Sequence, residues 1–164
     1  MTTRDRDPGG RPRNSRPRDE LGRPLPRTAS SDVPRIPDDL TVTPAEAAAM
    51  GSELLAAGRP FHAHEVFEAA WKSGPPRERD LWQGLAQVAV GITHARRGNS
   101  AGAITLLRRG IQRLSRYGAE NADAHGIDAA FVAGTAEDIA CRIERDGLPS
   151  IPGSDLLLRL SRPN

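Results

Sequence analysis

Between Phe61 and Trp71 the chain reads FHAHEVFEAAW, which sets two histidines and two glutamates among three aromatics. On a helix His64 and Glu68 stand one turn apart, with Glu65 at the rim, and Phe61 and Trp71 lie along the same stripe. An imidazole one turn from a carboxylate can accept a proton with an orienting partner beside it, or supply two N/O metal ligands. Ionisable groups beside large aromatics are costly to bury without partners, so either function or a fold-specifying polar cluster belongs here. His62 falls on another side of the helix and reads as solvent-exposed.

A second polar stripe answers the first. From Leu81 to Ala95 no residue is charged, which marks a helix that is apolar round most of its circumference and central in its fold. At about 100° per residue, Leu81, Leu85, Val88 and Ile92 share one face, and Gln83, Gln87, Val90 and His94 share roughly the opposite one. If the two helices form a hairpin through Gly74 to Pro76, the stripes face each other, His64 comes near His94, and Glu68 and Gln87 lie further along the seam. Three readings compete. The seam is a structural hydrogen-bond network. It is a divalent metal site of His64, Glu68 and His94, suited to Zn, Mn or Fe. Or it binds a small ligand or transfers a proton. His64-Glu65-x-x-Glu68 lacks the second histidine of the zinc-peptidase motif and the Glu-x-x-His order of di-iron bundles, so the local motif does not choose among them.

The elements that must hold these residues are helices. Thr43-Pro44-Ala45-Glu46 is a capping box with proline at the first helical position, and Gly58 ends that first helix. The second runs from about Pro60 to Lys72 and stops at Gly74-Pro75-Pro76. The third continues to about Arg97 before Gly98, and Asn99 or Ser100 caps the fourth, whose apolar face is Ala103, Ile104, Leu107, Ile111 and Leu114. The fifth starts near Asp128, with Val132, Ala136, Ile139, Ala140 and Ile143 inward, and closes at Gly147. Gly84 and Gly91 leave room for a neighbouring helix. Trp71 and Trp82 bracket the turn between the second and third helices and read as core. Leu156 to Leu158 read as a terminal turn or a strap on the bundle. Cys141, in an apolar helical pattern, reads as a small core residue, and His125 as a surface loop residue. The fold class is all-α: a compact bundle of about five helices with a central charge-free helix and a disordered N-terminal tail. The divisions are a tail at 1–37, a helical domain at 38–147 and a C-terminal extension at 148–164.

Composition separates the tail from the rest. Residues 1–37 hold seven prolines and nine arginines against five acidic residues, a net of +4. The chain as a whole carries 23 basic and 21 acidic residues, so the remainder nets −2. A near-neutral folded part argues against a nucleic-acid-binding domain and leaves weak contact through the basic tail. Arg108, Arg109, Arg113 and Arg116 of the fourth helix read as a solvated face. No apolar run reaches membrane-spanning length, and the lone cysteine fits a reducing cytoplasm. The partners left are a small molecule or another protein.

Taken together, FHAHEVFEAAW, then LWQGLAQVAVGITHARRGNSAGA, then an amphipathic helix, resembles domain-of-unknown-function family 309, small helical and mostly bacterial proteins, over about Gly51 to Leu114. The resemblance implies an all-helical domain, a polar seam at His64, Glu65, Glu68, Gln83, Gln87 and His94, and a turn at Gly98, Asn99, Gly102 and Ala103. It implies no activity. Members are often acidic where this chain has His62. The Gly-Asn-x-x-Gly-Ala turn is also similar to the turn of a tetratricopeptide-like helix pair, which gives a protein-interaction module as the alternative to a ligand-binding domain or a metal-dependent enzyme.

Overall fold

The computed structural model describes residue 8, residues 16–30 and residues 35–164. Five α-helices follow in order: α1 Pro44–Ala56, α2 Pro60–Ser73, α3 Arg79–Arg96, α4 Ser100–Glu120 and α5 Ala129–Asp146. Short 3-10 turns stand at Pro76–Glu78, Leu148–Ser150 and Gly153–Leu156, and no strand forms among the described residues. The remaining residues of the 1–37 tail lie outside those described; its described part forms no helix.

The ends of the helices obey local chemistry. The Thr43 hydroxyl accepts from the Glu46 amide while the Glu46 carboxylate accepts from the Thr43 amide, the complete capping box. Asn99 caps α4 by accepting from Gly102, and Asp128 caps α5 by accepting from Phe131. Consecutive helices pack pairwise, and α3 is clasped between α2 and α4. Leu81, Leu85, Val88 and Ile92 are wholly buried, as a charge-free central helix requires. Gly84 and Gly91 receive Leu114 and Leu107 of α4, so the two helices meet closely on that side.

After Gly147 the chain returns across the bundle. Ile151, Leu156, Leu158 and Leu160 join the core, and the Leu160 carbonyl accepts from the Asp128 amide at the start of α5. Cys141 departs from expectation. It is exposed, because it lies about 100° round α5 from the buried Ala140. Its thiol donates to Glu137, 3.4 Å away.

A candidate ligand site along α2 and α3

The His64 ring is fixed by its own helix. Nδ1 donates to the Phe61 carbonyl three residues back, which leaves Nε2 as an unprotonated acceptor. Nε2 faces Glu68 Oε1 at 3.9 Å, with the His64 side chain 14% exposed and that of Glu68 46%. Burial holds His64 below its ordinary value, while the Phe61 carbonyl and Glu68 pull the other way and Arg18 and Arg97 add to the lowering. On the facing helix Gln83, Gln87 and His94 are half-buried along one line, and the Gln87 Oε1 atom is buried with no hydrogen-bond partner.

His94 does not complete a cluster with His64. Its Nδ1 is 3.0 Å from the Asn99 side-chain amide, in the turn into α4, where Gly102 also stands close. Among the described residues no three His, Cys, Asp or Glu side chains are grouped so as to hold a metal ion, so the set His64, Glu68 and His94 is not drawn together. Gly98, with φ of 80°, takes the left-handed position that ends α3, and Asn99 begins α4.

Two histidines stand elsewhere than the sequence suggested. His62 is buried, 3% exposed, with its Nδ1 unpartnered. The reason lies in α2 itself: His62 stands one turn before Val66 and two before Ala70, on the helix face that is buried in the core. Burial holds His62 below the ordinary imidazole value, with Arg59 and His64 acting the same way. His125 is not a free surface residue either. Its Nε2 is 2.9 Å from Glu78 Oε1, and its ring stacks on Trp82 at 6.1 Å. Glu78 also accepts from the Trp82 indole at 3.0 Å. Nothing in local spacing could have joined residues 47 apart.

At the tail's end of the site Phe61 is the hub. Its ring meets His64 at 4.7 Å between centroids and His62 edge-on at 5.8 Å. The guanidinium carbons of Arg18 and Arg97 lie 4.8 Å and 5.9 Å from the centre of that ring. Trp71, further along α2, is half-buried against the core.

Glu65 titrates in the physiological range. Burial pushes its carboxyl up to about 7, with Arg18 opposing and Asp38 and Glu68 reinforcing. A carboxyl whose folded pKa is raised above its ordinary 4.5 contributes stability below that value and loses it as pH climbs through about 7. Discounted for partial exposure, the loss is about 2 kcal/mol. Glu65→Gln is therefore expected to stabilise the protein by about that much at pH 8 and by nothing measurable at pH 4. His62 and His64 act oppositely: their pKa values are depressed, so their contribution is present above about 6.5 and fades as pH falls. Urea unfolding of the Gln variant at the two pH values isolates the Glu65 contribution. An equal change at both would contradict it.

Residues 49–106, from the middle of α1 through α2 and α3 into α4, match the family model of the domain of unknown function DUF309. The resemblance is to DUF309. Every residue of the α2–α3 stripes lies inside the matched DUF309 stretch, whereas residues 17–25 and His125 lie outside it. An uncharacterised protein of Bacillus subtilis, YpuF, is 44% identical over 55 residues, covering 33% of this chain and 32% of that protein. The chain thus spans about a third of the length of that relative. No solved structure matches. Over residues 49–106 the chain is thus similar to an uncharacterised family, in a stretch that is helical here. No helix among the described residues is long and apolar enough to cross a membrane.

Proposed function

We propose that this is a cytoplasmic ligand-binding domain whose α2–α3 stripe takes a small, hydrogen-bond-donating molecule, an amine before others. The observation that carries this is the His64 tautomer. With Nδ1 committed to Phe61, the ring presents only an acceptor to Glu68, and 3.9 Å between them is too long for a direct hydrogen bond. A donor group placed between the two satisfies both. On α3, Gln87 Oε1 is a further acceptor, buried and without a partner. A purely structural network pairs its buried atoms, so the orphaned acceptor favours a site over a scaffold. The cytoplasmic assignment rests on the lone cysteine and on the absence of a spanning helix among the described residues.

A second reading is proton transfer on the bound molecule. Glu65, its carboxyl pushed up to about 7 by burial, would serve as the acid, and His64, held below its ordinary value by burial, as the neutral proton acceptor, each acting on the bound molecule.

The test uses 1,4-diaminobutane as probe and inorganic phosphate as control. Binding is expected to shift the His64 Nε2 nitrogen resonance and raise the melting temperature, and phosphate to do neither. His64→Ala should keep the fold and lose at least about 1.4 kcal/mol of affinity, a factor of ten. A Nε2 resonance and a melting temperature unmoved by the diamine would overturn the amine reading.

A further inference from the structure

The Arg/Pro-rich tail contains a built element. Asp19 Oδ1 accepts from the amides of Leu21 at 2.9 Å and Arg23 at 2.8 Å, its carbonyl accepts from Gly22, and the Leu25 amide reaches back to the Pro17 carbonyl at 2.8 Å. Arg18 and Pro24 face each other across this turn, and the Arg18 guanidinium donates to the Gly22 carbonyl.

The turn fits one place on the bundle. Gly22 has a φ of 72°, and its backbone lies so close to Phe61 that any added Cβ would overlap the aromatic ring. Arg97, at the end of α3, donates through both Nε, at 3.1 Å, and Nη2 to the Leu21 carbonyl. Arg18 covers the same ring from the tail's side. A positive-φ glycine against a ring and a two-pronged guanidinium on one carbonyl are two separate matches of shape and hydrogen bonding.

The geometry points to a docking site: the Phe61–Arg97 face of the bundle binds the Pro17–Leu25 turn of its own chain, as a strap that closes the His62 and His64 end of the α2–α3 stripe. The occupant is fixed by the residues in contact, since a turn with a side chain in place of Gly22 cannot lie on Phe61. Arg18 of the strap brings a cation against the face, which adds to the burial that holds the neighbouring histidines below their ordinary values.

Docking is read without any ligand, so its failure is independent of the amine reading. The peptide bond Arg18–Asp19 is a tryptic site inside the strap, whereas the bonds after Arg16 and Arg23 precede proline and resist trypsin. In the full-length protein, cleavage at Arg18–Asp19 is expected to be at least about tenfold slower than in Gly22→Val or Arg97→Ala, because proteolysis follows the population of the open form. The melting temperature of Gly22→Val should stay near that of the parent, since the strap adds little to the core. A second measurement guards against misfolding: the His64 titration followed by NMR should move upward in Gly22→Val while helix content is unchanged. Equal cleavage rates in parent and variants, or a parent rate that changes with protein concentration as docking between copies requires, would overturn the proposal.

Discussion

Glu78→Ala is expected to lower the stability of the chain by about 3 kcal/mol, among the largest effects of any single polar substitution. The Glu78 side chain is only 6% exposed. It accepts from the Trp82 indole and from His125, and so ties the 3-10 turn before α3 to the loop before α5. Burial alone would push its carboxyl up, but the hydrogen bonds from His125 and Trp82 outweigh burial and leave it below the ordinary carboxylate range. Because the folded pKa is depressed, the stabilisation is present above about 4.5 and fades as pH falls through the folded value. Removing the carboxylate strands the N–H of Trp82, a side chain with no exposure, and frees His125. His125 sits at φ of 57° and Gly126 at 74°, the two positive values of a type I′ turn, a conformation that costs a histidine and is held by the Glu78 contact. Urea unfolding followed by tryptophan fluorescence gives the measurement, and Glu78→Gln, which keeps an acceptor for the indole, should lose only about 1 kcal/mol. Identical losses in the two variants would mean that shape, not the acceptor, matters at this position.

That cluster also marks where the sequence stops being legible. The helices are readable because their signals are local: the Thr43–Glu46 box, the Asn99 cap, the glycines after α1, α2, α3 and α5 and the charge-free run from Leu81, although Gly118, which reads as the end of α4, lies inside a helix that runs on to Glu120. The pairing of His64 with Glu68 was readable for the same reason, being a property of one helix face. Contacts between distant segments have no such signature. Neither spacing nor composition joins Glu78 to His125, or Arg97 to Leu21 at 76 residues' separation. His62 reads as solvent-facing by its polarity, yet it occupies the apolar stripe of α2 with Val66 and Ala70. The hairpin register puts His94 near His64, yet Asn99, five residues on, meets the His94 ring with its side-chain amide. Cys141 follows the buried Ala140 by one position and so turns out of the apolar stripe of α5. The candidate site is thus half local, in α2, and half tertiary, in the strap and in Gln87.

Gly110→Val is expected to cost about 3 kcal/mol, against the usual gain from removing a helical glycine. Gly110 is on α4 where it crosses α3, and a Cβ there would stand 2.8 Å from the Gly84 carbonyl oxygen and 3.0 Å from the Val88 nitrogen. Those are backbone atoms of α3 and cannot rotate aside, so the two helices must part and the packing of Leu107 and Leu114 around Gly91 and Gly84 must loosen with them. Gly134 of α5 is the matched control, since a Cβ there meets nothing within 4 Å. Gly134→Ala should raise stability by up to about 1 kcal/mol through helix propensity alone. The contrast between the two glycines, measured in one urea series, separates a packing requirement from a conformational one. The consequence reaches the site, because the face of α3 that bears Gln83 and Gln87 is positioned by the packing on α4. Gly110→Val should therefore weaken diamine binding along with stability, while Gly134→Ala leaves binding unchanged. A Gly110→Val protein as stable as the parent would show that α4 does not hold α3 in register.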